Sequence, residues 1–91
     1  MARYYFHLRE GEVLIEDLDG VEVANLEAAK SEAREAMREN IAEHLTAGRQ
    51  LTFTSIEIRD ELGQALAKIS VLDALTGVVP FDILEDAWRT T

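Results

Sequence analysis

Asp17-Leu18-Asp19-Gly20 puts two carboxylates and a glycine into four residues, an acidic turn of the sort that can hold a calcium ion. The spacing argues against a cation. A calcium loop needs a further oxygen-bearing residue, a glycine at its sixth position and a bidentate Glu at its twelfth, whereas the glycine here is fourth. Turn geometry accounts for the same residues, with Asp17 capping backbone amides and Gly20 taking a left-handed conformation. The two histidines, His7 and His44, lack the spacing of paired metal ligands. Asn40 lies one helical turn before His44, and together they form a candidate ligand pair beside the apolar row of a helix. The competing expectation is a satisfied polar pair at the rim of the core. Glu32, Glu35, Glu39 and Glu43 fall in a column on the same helix. Such carboxylates do acid and base work only where a cleft gathers them, and on an open helix face they are solvated.

Tyr5, His7 and Arg9 alternate on a strand, as do the aromatic and basic residues on which single-stranded RNA bases stack. Charge opposes that use: eighteen acids against nine bases give a net charge of −9, which repels phosphate backbones and anionic lipid. Neither nucleic acid nor membrane is therefore expected as a partner; a protein is, either a second copy of the chain or a basic partner. Phe81, Leu84 and Trp88 share one face of a C-terminal amphipathic segment that must dock on its own domain or on another chain. With Tyr5, His7 and Arg9 they form the expected interaction surface. No phosphate loop, nucleophile elbow or cysteine occurs. No catalytic residue, cofactor or metal is expected, and the chain reads as a non-enzyme.

These residues need elements to place them. Ninety-one residues make one domain, and 47% hydrophobic residues suffice for a folded core. The alternation from Arg3 to Arg9 predicts a strand with Tyr4, Phe6 and Leu8 inward and Tyr5, His7 and Arg9 outward. Glu10-Gly11-Glu12 turns the chain, and Val13-Leu14-Ile15 can pair back. Asp17 to Gly20 and Asp60 to Gly63 share turn chemistry within a repeated strand-turn-strand pattern, so both are expected to close hairpins. Asn25 caps a helix from Leu26 to Ala47 that ends at Gly48, with Ala29, Ala33, Met37, Ile41 and Leu45 in one i,i+4 row facing the sheet. Ser70 with Asp73 is a capping-box variant opening a short helix.

The expected fold class is α+β, in two layers: an antiparallel sheet of about four strands, one long helix on one face and short C-terminal helical elements. Residues 1–77 form the domain and 78–91 a tail. No apolar stretch suits a signal peptide or a membrane span, so a cytoplasmic protein is expected.

Arg3-Tyr4-Tyr5-Phe6-His7, Asp17-Leu18-Asp19-Gly20, Asn25-Leu26-Glu27-Ala28-Ala29 and Ile56-Glu57-Ile58-Arg59-Asp60-Glu61-Leu62-Gly63 together resemble a family of small bacterial proteins classed as a domain of unknown function, over about residues 3 to 75. The resemblance implies a compact bacterial cytoplasmic domain and brings no catalytic residues with it. The order of elements also resembles small antitoxin domains that pair with basic ribonuclease toxins, a likeness of fold alone. The functional expectation is a protein-interaction or regulatory module, as a homodimer or with another protein. The alternative is an acidic antitoxin or inhibitor of a basic partner.

Overall fold

The computed structural model describes residues 1–76, 78–80 and 82–83. Five strands and two helices follow in the order β1 (Ala2–Glu10), β2 (Val13–Ile15), β3 (Val21–Val23), α1 (Leu26–Ala47), β4 (Ser55–Arg59), β5 (Ala65–Ser70) and α2 (Val71–Thr76). The class is α+β, and every strand pairing is antiparallel. Across the sheet the order is β2-β1-β4-β5, and β3 also pairs with β1. Five strands therefore occupy four lanes, because β2 and β3 lie end to end along the same edge of β1.

That arrangement corrects the expectation for Asp17–Gly20. β2 and β3 do not pair with each other: Ile15 stands opposite Leu8, and Val21 stands opposite Tyr4. Five residues, Glu16 to Gly20, bow out opposite the three residues Tyr5 to His7. The turn is an enlarged bulge in one edge lane, not the end of a hairpin. Asp60–Gly63 does close a hairpin, between β4 and β5, and one extra residue, Leu66, enters β5 beside it. Both aspartates perform the same local task. Asp17 Oδ1 accepts from the amides of Asp19 and Gly20, each at 3.1 Å, and Asp60 Oδ1 accepts from Leu62 and Gln64, each at 2.9 Å. The sequence pattern encodes an Asp-capped, glycine-ended corner, and the pairing of the flanking strands decides what the corner joins.

α1 starts at Asn25, whose Oδ1 accepts from the Ala28 amide at 2.9 Å. It ends at Gly48 in the left-handed region (φ 69°), where the Gly48 amide donates to Leu45 O at 3.2 Å and the Arg49 amide to His44 O at 2.9 Å. Ala29, Ala33, Met37 and Ile41 are buried against Ile56, Ile58 and Ile69 in one core that includes Tyr4, Phe53 and Ala74. Leu45 is not part of it, being 70% exposed. An i,i+4 row advances about 40° around a helix at each step, so Leu45 lies about 160° from Ala29 and has left the sheet-facing side. His44, three residues after Ile41, takes the inward place. α2 opens with a reciprocal capping box: the Asp73 amide donates to Ser70 Oγ at 3.0 Å and the Ser70 amide to Asp73 Oδ2 at 2.9 Å. Those bonds hold the Asp73 carboxyl below its usual range.

Candidate functional site on the outer sheet face

α1 covers one face of the sheet. On the other face, alternation along antiparallel strands brings Tyr5 opposite Arg59, His7 opposite Glu57, Arg9 opposite Ser55, and Glu57 opposite Lys68. Tyr5, His7 and Arg9 thus share one surface, as their spacing predicted, and no described element lies over it. The Tyr5 and His7 rings stack with centroids 6.5 Å apart and planes inclined at 29°.

Glu57 is the hub. Arg9 donates to its Oε2 from Nη2 at 2.7 Å and Nε at 3.1 Å, and Arg59 Nη2 donates to Oε1 at 2.9 Å. The two guanidiniums hold the Glu57 carboxyl below its usual range, against a smaller opposing effect of burial. The Glu57 side chain is only 17% exposed because its neighbours lie across it. Each arginine of this face also reaches a turn. Arg9 Nη1 donates to Glu12 O at 3.5 Å, Arg59 Nη1 to Gly63 O at 3.2 Å, and Arg3, which pairs with Glu22 at 2.9 Å, donates from Nη1 to Asp19 O at 2.6 Å. Three arginines fasten the corners of the sheet to its outer face, so much of the ordering cost of these long side chains is met on folding.

His7 has a second role. Its Nδ1 accepts from the Asp17 amide at 2.9 Å, while Asp17 Oδ2 accepts from the Phe6 amide at 3.1 Å. These bonds replace the ladder that the bulge interrupts. Burial pushes the Asp17 carboxyl up, but the amides of Phe6, Gly20 and Asp19 and the nearby His7 outweigh it, and the group titrates below its usual range. Asp17 thus holds backbone in place, and Glu57 holds two arginine side chains.

Asn40 and His44 do not meet through their side chains. His44 Nδ1 donates to the Asn40 main-chain carbonyl at 2.9 Å, and its ring stands edge-on to Phe53 with centroids 5.1 Å apart. Glu32, Glu35 and Glu39 border a shallow depression of about 230 Å³ with Ala36, and Glu43 does not. Along α1, Glu27 and Lys30 pair at 3.3 Å, while Glu35 and Arg38, also three residues apart, form no ion pair. Among the described residues no group of three His, Asp or Glu could hold a metal ion. Phe81, Leu84 and Trp88 lie outside the described residues; near them Asp82 and Ile83 are helical and exposed, and the Ile83 amide donates to Pro80 O at 3.1 Å. Sequence reasoning did not single out Glu57, Arg59 or Lys68 as parts of the outer face. The signal was present in Ile56-Glu57-Ile58-Arg59, which alternates as plainly as β1.

A family profile described as a domain of unknown function, DUF6894, matches residues 3–73. The chain belongs to that family. The matched DUF6894 region takes in β1 from its second residue, the other four strands, α1 and the start of α2, and stops before the tail. Comparison with curated proteins and with solved structures found no match. Among the described residues of this DUF6894 protein, no helix is long and apolar enough to cross a membrane.

Proposed function

We propose that this DUF6894 protein is a non-enzymatic protein-interaction module whose docking surface is the outer face of its sheet. The observation that carries the reading is the set of contacts that holds Tyr5, His7 and Arg9 side by side on a face that no described element covers: Arg9 and Arg59 on Glu57, the Asp17 amide on His7, and Tyr5 stacked on His7. Preformed surfaces of aromatic and arginine side chains suit protein recognition, because little side-chain freedom remains to be lost on binding. The face holds Arg3, Arg9, Arg59 and Lys68 against Glu22, Glu57 and the bordering Asp17, a small basic excess in an acidic protein. Its partner presents an acidic surface, on another protein or on a second copy of this chain.

A second reading, an acidic inhibitor or antitoxin that neutralises a basic protein, draws on the Glu32, Glu35 and Glu39 depression on α1. Affinity capture from the native cell distinguishes the two. The baits are the natural chain, a sheet-face variant (Tyr5→Glu) and a helix variant (Glu35→Lys with Glu39→Lys), each checked for unchanged melting. The sheet-face reading predicts one protein held by the natural chain and the helix variant and lost by the sheet-face variant. The reverse pattern supports the inhibitor, and equal retention by all three baits, or by none, overturns both.

A further inference from the structure

The two edges of the sheet are built differently. The β2/β3 edge is broken by the bulge at Glu16–Gly20, and interruptions of this kind keep an edge from templating another strand. The β5 edge has no described strand beside it. Against it runs a groove of about 550 Å³, walled by Leu66–Ile69 of β5, by Lys30 and Arg34 of α1, and by Asp73 and Thr76 of α2.

The charge of this groove opposes that of the molecule. Lys30, Arg34 and Lys68 face it, and the single carboxylate, Asp73, is committed to the Ser70 amide. Arg34 and Lys68 lie near enough to Asp73 to help hold its carboxyl below the usual range. Lys30 has a partner in Glu27, but at 3.3 Å and with the Glu27 side chain 79% exposed, a pair that water readily replaces. In a chain of net charge −9, three cations gathered beside a strand edge that no described strand pairs specify an anionic occupant that can also offer main-chain hydrogen bonds.

We infer that the β5 edge and its Lys30, Arg34 and Lys68 groove bind an extended acidic segment of a partner protein, which adds to the sheet as a further strand. Main-chain bonds to β5 supply affinity, and carboxylates on both faces of the segment meet Lys68 on one side and Lys30 and Arg34 on the other. The inference rests on the interaction-module reading but not on the outer face.

The test titrates the full chain with a fluorescent peptide of roughly seven residues, the length of a typical strand, in which adjacent Glu pairs alternate with adjacent Val pairs so that both faces of the added strand carry carboxylates. Two control peptides replace Glu by Lys, or Val by Pro so that charge is kept and ladder donors are lost. Saturable binding of the Val-Glu peptide is expected, weakened about tenfold or more by Arg34→Glu, by Lys68→Gln and by raising salt from about 50 to about 300 mM. Amide shifts should centre on residues 66–70. Absence of binding, equal binding of the proline peptide, or shifts centred on Tyr5 and His7 would overturn the inference. So would competition by a second copy of the chain at this edge, seen as dimer formation that the peptide reverses. Failure of the peptide with survival of the outer-face contact removes the groove alone.

Discussion

Single atoms decide the roles of the residues that looked most chemical. His7 accepts a hydrogen bond at Nδ1 from the Asp17 amide, whereas His44 donates from Nδ1 to the Asn40 carbonyl. Their neutral rings must therefore be opposite tautomers, with hydrogen on Nε2 in His7 and on Nδ1 in His44. Nitrogen-15 chemical shifts of the two imidazoles should show that difference, and the same tautomer in both would contradict the geometry. The glycines of the two similar turns separate as well. Gly20 and Gly63 both have positive φ, at 71° and 81°. A Cβ on Gly20 would lie 2.9 Å from Tyr4 O and 2.9 Å from Tyr5 Cε1, but a Cβ on Gly63 would meet nothing. Gly63→Ala should cost only left-handed backbone strain, about 1–2 kcal/mol. Gly20→Ala should cost clearly more, read as a larger fall in denaturant midpoint; equal losses would mean that the bulge does not press on β1. The turn chemistry was legible in Asp17, Gly20, Asp60 and Gly63. The contact with Tyr4 was not, because it depends on which strand lies beside the turn.

At the scale of elements, local signals read well and pairings less so. Asn25, Gly48, Ser70 and Asp73 each perform the capping task their types and spacing suggest, since a cap is settled within a few residues of chain. The hairpin expected at Asp17–Gly20 required knowing that Val21–Val23 pairs with Ala2–Tyr4, a nonlocal fact that a corner motif does not contain. Leu45 shows a third kind of limit: the row was right in type and wrong in length, because it winds around the helix. The small residues at the start of that row have a direct consequence. Ala29 and Ala33 have no exposed surface, which lets α1 approach the sheet closely. Ala33→Leu should overpack that contact and destabilise the fold by about 1–3 kcal/mol, measured by chemical denaturation. Unchanged stability would mean that α1 can lift from the sheet without loss.

At the scale of the molecule, the described residues form two layers, with α1 and α2 over the inner face of the sheet and an arginine-fastened array on the outer one. The two-layer class was legible from three periodic segments, and the partner network was not, because cross-strand neighbours follow register rather than sequence distance. Acid stability reports on several of these contacts together. Asp17, Glu57 and Asp73 all have carboxyls held below their usual range in the folded chain. The stability they contribute is fully present above the unfolded carboxylate range, near pH 4, and is lost as pH falls through the lower folded values. Melting temperature should stay level above about pH 5 and fall below about pH 4, with a shallower fall in Glu57→Gln than in the natural chain. The central claim, that the outer sheet face docks a protein, is tested most directly by site-specific photocross-linking in the native cell. A photoreactive phenylalanine analogue is placed at Tyr5 in one experiment and at Glu39 in another. The account predicts a protein adduct of defined mass from position 5 and none from position 39. An adduct from position 39 alone, or none from either, would contradict it.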